Sequence, residues 1–228
     1  MKITMIHGQS HKGSTYHIAE MLARKIGGEV TEFFLPRDFD KFCIGCNQCF
    51  MKNESLCPHY EAISPITRAM DEADVLILDS PVYVFHVTGA MKAFLDHYGY
   101  RFMVHRPAKV MFTKQAVCIS TAAGAGMKST NKDMADSLFF WGVGRIYSYG
   151  ISVHAVTYEK VSEKTRQKID RKTSSLAEKI KCRNGRVVPG LKTRMFFYMM
   201  RMLMKKGWSE ADVKYWKEKG WLKEKRPW

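Results

Sequence analysis

No stretch of this 228-residue chain is long and apolar enough to cross a bilayer. The longest strongly apolar run, "MFFYMMRMLM" at residues 195–204, falls well short of the roughly 20 residues a membrane helix needs. The chain enters a strand pattern at once, "KITMIHG", with no charged leader, apolar core or cleavage site. It therefore reads as lacking a secretory signal, and a cytoplasmic location is expected. Acidic residues are scarce, with 22 Asp/Glu against 37 Lys/Arg and a formal net charge of +15. Fourteen of those cations but only four of the acids fall in residues 181–228, so the basic character belongs mostly to the last fifth of the chain. Such a tail attracts nucleic acid, an anionic membrane surface or an anionic substrate, or is simply a solvated face.

Two nucleotide motifs are approached and missed. "HGQSHKGST" (7–15) has Gly8 and Gly13 at the P-loop spacing, but Ser14-Thr15 stand where Lys-Ser/Thr is required. Without that lysine a polyphosphate is poorly neutralised, and a single terminal phosphomonoester suits the loop better. Gly124-x-Gly126 lacks the third glycine of a dinucleotide fingerprint and follows the fourth strand pattern, not the first. No internal repeat is present.

Strand and helix patterns alternate along the chain. Residues 2–8, 29–35, 73–83, 115–121 and 145–155 read as strands. Val75–Leu78 are consecutive and apolar, as a central parallel strand requires. Helices are predicted over 15–26, stopped by Gly27-Gly28, and over 62–71, 88–99, 131–141 and 159–181. The alternation implies a three-layer α/β sandwich with a mostly parallel sheet. Residues 1–184 are expected to form that domain, interrupted by an irregular segment at 36–60. Residues 185–228 form a basic, Met/Trp-rich extension with helices at about 191–206 and after Ser209. In the second of these, Ser209-x-x-Asp212 resembles a capping box. Trp208 and Val213 are placed as a hydrophobic staple, and Gly220 as the stop.

In open α/β sheets ligands bind beyond the carboxyl ends of the strands. Three loops there are unusual. The first, residues 8–15, offers helix N–H groups and hydroxyls to a phosphate. The second, "SPVYVF" (80–85), offers a flat apolar surface through Pro81, Tyr83 and Phe85. The third, "STAAGAGMKST" (120–130), has small residues whose backbone N–H groups can reach a polar ring edge. Together they match the phosphate, ring face and ring edge of flavin mononucleotide (FMN).

With these residues in place the sequence resembles the flavodoxin-like NAD(P)H-dependent FMN reductases and quinone reductases. The resemblance rests on Gly8-x-x-x-Lys12-Gly13-Ser14-Thr15, Ser80-Pro81-Val82-Tyr83 and Met91-Lys92-x-Phe94-Leu95-Asp96, and covers roughly residues 1–180. It implies strand order 2-1-3-4-5. It also implies FMN held by its phosphate at Gln9, Ser10, His11, Lys12, Ser14 and Thr15, and by its ring at Pro81, Val82, Tyr83, Val84 and Phe85 and at Thr121, Ala122, Ala123, Gly124 and Gly126. Many relatives have Ser-Pro-Arg where this chain has Gln9-Ser10-His11, so the usual arginine phosphate ligand is missing and its role falls to His11, Lys12 and the hydroxyls of Ser10, Ser14 and Thr15. The implied chemistry is hydride transfer from NAD(P)H to the flavin and onward reduction of a small-molecule or protein acceptor, with no acid–base triad needed. Among the remaining histidines, His86 is the one expected near the flavin.

Cys43, Cys46, Cys49 and Cys57 form C-x2-C-x2-C-x7-C followed by Pro58. Three close thiols and a fourth from a loop suit a cubane cluster better than a structural zinc, which more often uses two separated C-x-x-C knuckles. The segment also resembles the cysteine motif of the iron–sulfur flavoproteins, which implies a [4Fe-4S] cluster beside the flavin. Redox-active or free thiols and zinc remain alternatives. Cys118 lies in an apolar run and reads as a buried small residue, and Cys182 has no evident role.

Two function classes therefore compete. One is a flavin oxidoreductase or iron–sulfur electron carrier. The other is a nucleic-acid or membrane-surface module built on the basic tail with Trp208, Tyr215, Trp216 and Trp221. The first predicts a yellow protein, and the second a colourless one with salt-dependent DNA affinity. No nucleic-acid partner and no membrane span are expected. The apolar face at 195–204 is too continuous to leave in water. Packing of residues 190–228 on a neighbouring subunit of a homodimer or homotetramer, covering the flavin edge, is expected. Folding back onto the chain's own core is the alternative.

Overall fold

Val75, Leu76, Ile77 and Leu78 are all fully buried, because their strand is covered on both faces. They open β3 (Val75–Pro81) in the computed structural model of the chain, which describes residues 1–207 and 209–228. The other strands are β1 (Lys2–His7), β2 (Glu29–Phe34), β4 (Gln115–Ala122) and β5 (Arg145–Ser152). All pair in parallel, in the order β2-β1-β3-β4-β5. This is the flavodoxin-like order expected from the resemblance. In register, His7 stands beside both Phe34 and Asp79, and Pro81 beside Thr121. The carboxyl ends of β1, β3 and β4 thus meet at one edge.

The helices in chain order are α1 (Ser14–Ile26), α2 (Gln48–Met51), α3 (Tyr60–Glu72), α4 (Gly89–Asp96), α5 (Met127–Phe140), α6 (Glu163–Arg183), α7 (Leu191–Lys205) and α8 (Glu210–Glu218). Side chains alternate across a strand, and the core divides accordingly. Ile3 and Met5 of β1 pack with Ile18 and Leu22 of α1 and Ile169 and Leu176 of α6. Ile6 and Leu78 face Ile63 of α3, Phe94 of α4 and Met134 of α5. Among the described residues no helix is long and apolar enough to cross a membrane.

Several boundaries differ from the sequence reading for local reasons. α5 begins at Met127 and not near residue 131, because Gly126 takes φ +98° at its N-cap. α6 begins at Glu163, where the Ser162 hydroxyl accepts from the Thr165 N–H. Residues 36–60 are largely irregular but contain α2 and a short turn of helix at Glu54–Leu56.

The extension folds back. Phe197, Met200 and Met204 of α7, Trp216 of α8 and Trp221 bury themselves against Met103 and Phe112 of the same chain. The Phe197 and Trp216 rings stack with centroids 5.0 Å apart. The alternative reading of the arm, packing on its own core, accounts for this buried side. Its partner Phe112 precedes β4, so within the chain the arm lies at the edge opposite the carboxyl ends. The capping box does not form, since Ser209 makes no side-chain cap. Asp212 is instead buried, accepting from Arg106 Nη1 at 2.7 Å and bonded to His105 Nδ1 at 2.8 Å; a guanidinium is a stronger partner than a helix-end amide. Gly220 stops the second helix as expected, at φ +71°. The Trp208–Val213 staple involves Trp208, which lies outside the described residues.

Candidate functional site

A cavity of about 220 Å³ opens at the carboxyl ends of β1, β3 and β4. Its walls bring together ten of the sequence-predicted cofactor residues: Gln9, His11, Ser14, Thr15, Pro81, Val82, Tyr83, Thr121, Ala122 and Ala123. Each is there for a local reason. Gly8 leaves β1 so close to β3 that a Cβ would meet the Asp79 carbonyl at 3.0 Å. The Gly8 carbonyl is held by the Thr88 hydroxyl at 2.5 Å, and Thr88 also caps α4. The chain then turns into α1 at Gly13, an N-cap with no side chain of its own. The first-turn N–H groups of α1 are thereby left without a side-chain cap, in the position where helices bind anions.

Ser14 Oγ, lining this cavity, is buried and has no hydrogen-bond partner. A buried hydroxyl left alone costs free energy, and a phosphate oxygen is the partner this geometry suits. Thr15 Oγ1 meets Thr121 Oγ1 at 2.5 Å, tying the first loop to the third. The Tyr83 hydroxyl reaches Gln9 Oε1 at 3.4 Å, tying the second to the first. FMN fits this arrangement: an anion cradle at one end, and Pro81, Val82 and Tyr83 as an apolar wall.

Six predicted residues do not line the cavity. The Ser10 hydroxyl turns away to the Leu35 carbonyl at 3.2 Å. The Lys12 ammonium lies over the Tyr16 ring, 4.8 Å from its centroid. Val84 and Phe85 form the tip of a tight hairpin closed by reciprocal Tyr83–His86 backbone bonds. Both have positive φ, 49° and 67°, a conformation such residues rarely adopt, and Val84 is 92% exposed. Gly124 has open space around it. Gly126 serves loop packing, since a Cβ there would strike Val82 Cγ1 at 2.6 Å.

His86 is not at the cavity. Its Nδ1 bonds Asp133 at 3.0 Å. The histidine that sequence reasoning missed is His7, buried in the cavity floor with Asp79. His7 Nδ1 lies 2.6 Å from Asp79 Oδ2, and its Nε2 lies 3.2 Å from Glu32 Oε1. Burial alone would lower the imidazole pKa, but Asp79 and then Glu32 outweigh it, so the ring's pKa is raised. Burial raises that of Asp79, against the opposing effect of His7. A signal was available: an aspartate inside "VLILDSP", a strand otherwise buried on both faces, needs a partner. Val153, Ala155 and Val156, after β5, complete the wall and carried no sequence signal.

The cysteine segment docks beside α4 and the extension. Phe50 lies edge-on to His105, and Arg106 donates to the carbonyls of Cys49 and Phe50. All six cysteines are free. Burial raises the Cys49 thiol pKa, and the nearby Cys57, Cys43 and Cys46 raise it further. Four cysteines on one segment are the donor type that an iron–sulfur cluster takes. Cys57 also lies with His59 and His97, the three ligand atoms all within 4.8 Å of one another.

A five-stranded parallel sheet with an anion cradle and apolar wall at its switch-point edge defines a flavodoxin-like fold with a nucleotide-type binding site. Residues 1–157 match the family described as NADPH-dependent FMN reductase, and the chain belongs to that family. It is 28% identical over 201 residues to an iron-sulfur flavoprotein of Archaeoglobus fulgidus, covering 86% of each chain. It is 31% identical over 139 residues to an iron-sulfur flavoprotein of Methanocaldococcus jannaschii, covering 57% of this chain and 67% of that protein. Among solved structures it resembles an FMN-dependent NADH-azoreductase of Bacillus anthracis in complex with FMN. There the TM-score is 0.57 at 11% identity, over 78% of this chain and all of the other.

Proposed function

We propose that the chain oxidises NAD(P)H at a bound FMN and reduces a flavin, a quinone or another small-molecule or protein electron acceptor. The observation that carries the reading is the buried, unpartnered Ser14 hydroxyl beside an uncapped helix start, facing an apolar wall. FMN supplies two-electron uptake and one- or two-electron delivery. The protein's part is binding and orientation. Ser14, Thr15 and the first-turn N–H groups of α1 hold the phosphate, with Gln9 and His11 at the mouth. Ser10 and Lys12, with their side chains turned away, take part through the backbone of the same loop. Pro81, Val82 and Tyr83 bear the ring, with Val84 and Phe85 at the exposed rim. Thr121, Ala122 and Ala123 meet its polar edge, and Gly124 and Gly126 give that loop its shape. The net positive charge favours approach of an anionic dinucleotide.

The test is anaerobic mixing of the FMN-loaded protein with NADH and, separately, NADPH. Bleaching of the flavin spectrum by either supports the reading. A flavin that neither nucleotide reduces, or extraction of FAD in place of FMN, refutes it.

A second reading is favoured by the C-x2-C-x2-C-x7-C spacing of the four cysteines and by the names of the relatives. Cys43, Cys46, Cys49 and Cys57 hold a [4Fe-4S] cluster that takes electrons from the flavin, making the chain an electron carrier. Close to four irons and four sulfides per chain after anaerobic purification support it. Iron well below one per chain excludes it. On either reading residues 1–184 are the flavin domain and 185–228 an extension. The exposed Leu191, Met195 and Met202 support a subunit contact in a homodimer or homotetramer. Six free thiols support a reducing, cytoplasmic setting.

A further inference from the structure

His97 ends α4 and is buried, with its ring fixed on two sides. Its Nδ1 donates to the Ala93 carbonyl at 2.7 Å, and Phe39 stands edge-on to it at 4.8 Å. That leaves Nε2 as the acceptor, aimed at His59 Nδ1, 2.9 Å away. An imidazole whose far nitrogen is held by a backbone carbonyl is the usual arrangement of a metal-ligating histidine. His59 is the N-cap of α3, two residues past Cys57. Tyr60 N–H bonds the Cys57 carbonyl at 2.9 Å, and the Cys57 thiol lies with the two rings. Three ligand atoms from two elements thus converge within 4.8 Å.

This convergence is not what a cubane asks for. A cubane places each thiolate on a separate iron, farther apart than the donors of a single ion, and has no need of two imidazoles. Around one zinc-class ion, bonds of about 2.0–2.3 Å put donors roughly 3.5 Å apart. The His59–His97 pair would need to open by only about half an ångström.

We propose that, when no cluster occupies the cysteine segment, Cys57, His59 and His97 bind a single divalent cation of the zinc class, with water in the fourth position. Binding releases the Cys57 thiol proton to solvent. The His59 proton leaves Nδ1, which becomes a ligand, and the half-exposed ring takes a proton from solvent on Nε2. His97 keeps its Nδ1 proton on Ala93. One thiolate and two neutral imidazoles suit zinc and its cobalt substitute. Cys57 can serve only one centre at a time, so the ion and a four-thiolate cluster exclude each other. Cys43 and Cys46, both exposed, are not needed for the ion.

The test is anaerobic titration of cobalt(II) into iron-free, FMN-loaded protein, with flavin fluorescence as the check on folding. Tetrahedral cobalt with a thiolate ligand absorbs in the red, clear of flavin. One cobalt per chain, displaced by zinc, is expected. Cys43→Ser/Cys46→Ser should keep the band and its affinity. His59→Ala, at a half-exposed position, should weaken binding at least roughly tenfold while FMN stays bound. Absence of the band, its loss in the Cys43→Ser/Cys46→Ser protein, or unchanged affinity in His59→Ala each overturns the proposal. The readout is cobalt, not reductase activity, so it stands apart from the flavin reading.

Discussion

His7 Nδ1 and Asp79 Oδ2 are 2.6 Å apart on neighbouring parallel strands, in register, beneath the flavin cavity. Both are buried, so removing one strands a charge where water cannot reach it. His7→Gln should destabilise the protein by about 3–5 kcal/mol near neutral pH. The sign of the pH dependence follows from the raised imidazole pKa. The protonated ring's stabilisation is complete below its unfolded pKa of about 6.5 and is lost as pH rises through the higher folded value. Urea unfolding of both proteins from about pH 6 to about pH 9 should therefore show the gap narrowing. A gap independent of pH would mean the ring carries no charge in the fold.

Ser14→Ala separates cofactor binding from folding. The hydroxyl is buried and unpartnered without FMN, so its removal should leave apo stability unchanged or slightly raised. FMN affinity should fall by about 1.5–3 kcal/mol, the range for a hydrogen bond to a charged group. Fluorescence titration with FMN and thermal melting of the apoprotein read the two effects. Unchanged FMN affinity would remove Ser14 from the phosphate site.

Gly126→Ala tests the packing of the third loop on the second. The residue has φ +98°, and its Cβ would meet Val82 Cγ1 at 2.6 Å. Strain and clash together should cost more than about 1 kcal/mol. Val82 lines the cavity, so FMN should also dissociate faster in stopped-flow release. Wild-type stability and release would show that the two loops move apart freely.

Asp212→Ala should cost about 3–5 kcal/mol, because it leaves the Arg106 guanidinium buried without its carboxylate. Limited proteolysis should then cut residues 185–228 before the flavin domain. Equal protease resistance in variant and wild type would show that the ion pair does not hold the extension down.

The sheet was legible because its signals are local. Four apolar residues at Val75–Leu78 and glycines at strand and helix ends mark elements without reference to the rest of the chain. The meeting of the three loops at one cavity was legible for the same reason, as each follows a strand at the same edge. The His7–Asp79 pair was not read, because its partners lie 72 positions apart and only pairing of β1 with β3 brings them together. Lys12 and Ser10 were placed on the phosphate by spacing, yet nearer partners claimed them: an aromatic ring for one and a carbonyl for the other. Val84 and Phe85 sit at positive φ, which no propensity scale anticipates for such residues. The destination of the extension depended on Met103 and Phe112, whose burial cannot be read from their own neighbourhoods.

Arg106 grips Asp212 on one side and the carbonyls of Cys49 and Phe50 on the other. The Trp216 indole N–H is fastened to the carbonyl of the preceding residue, His105, at 2.6 Å. The thiol segment and the chain's last helices are thus yoked at one hinge pin. The segment and the last helices therefore share a single anchor, the His105–Arg106 pair, and the Trp216 indole sits on it.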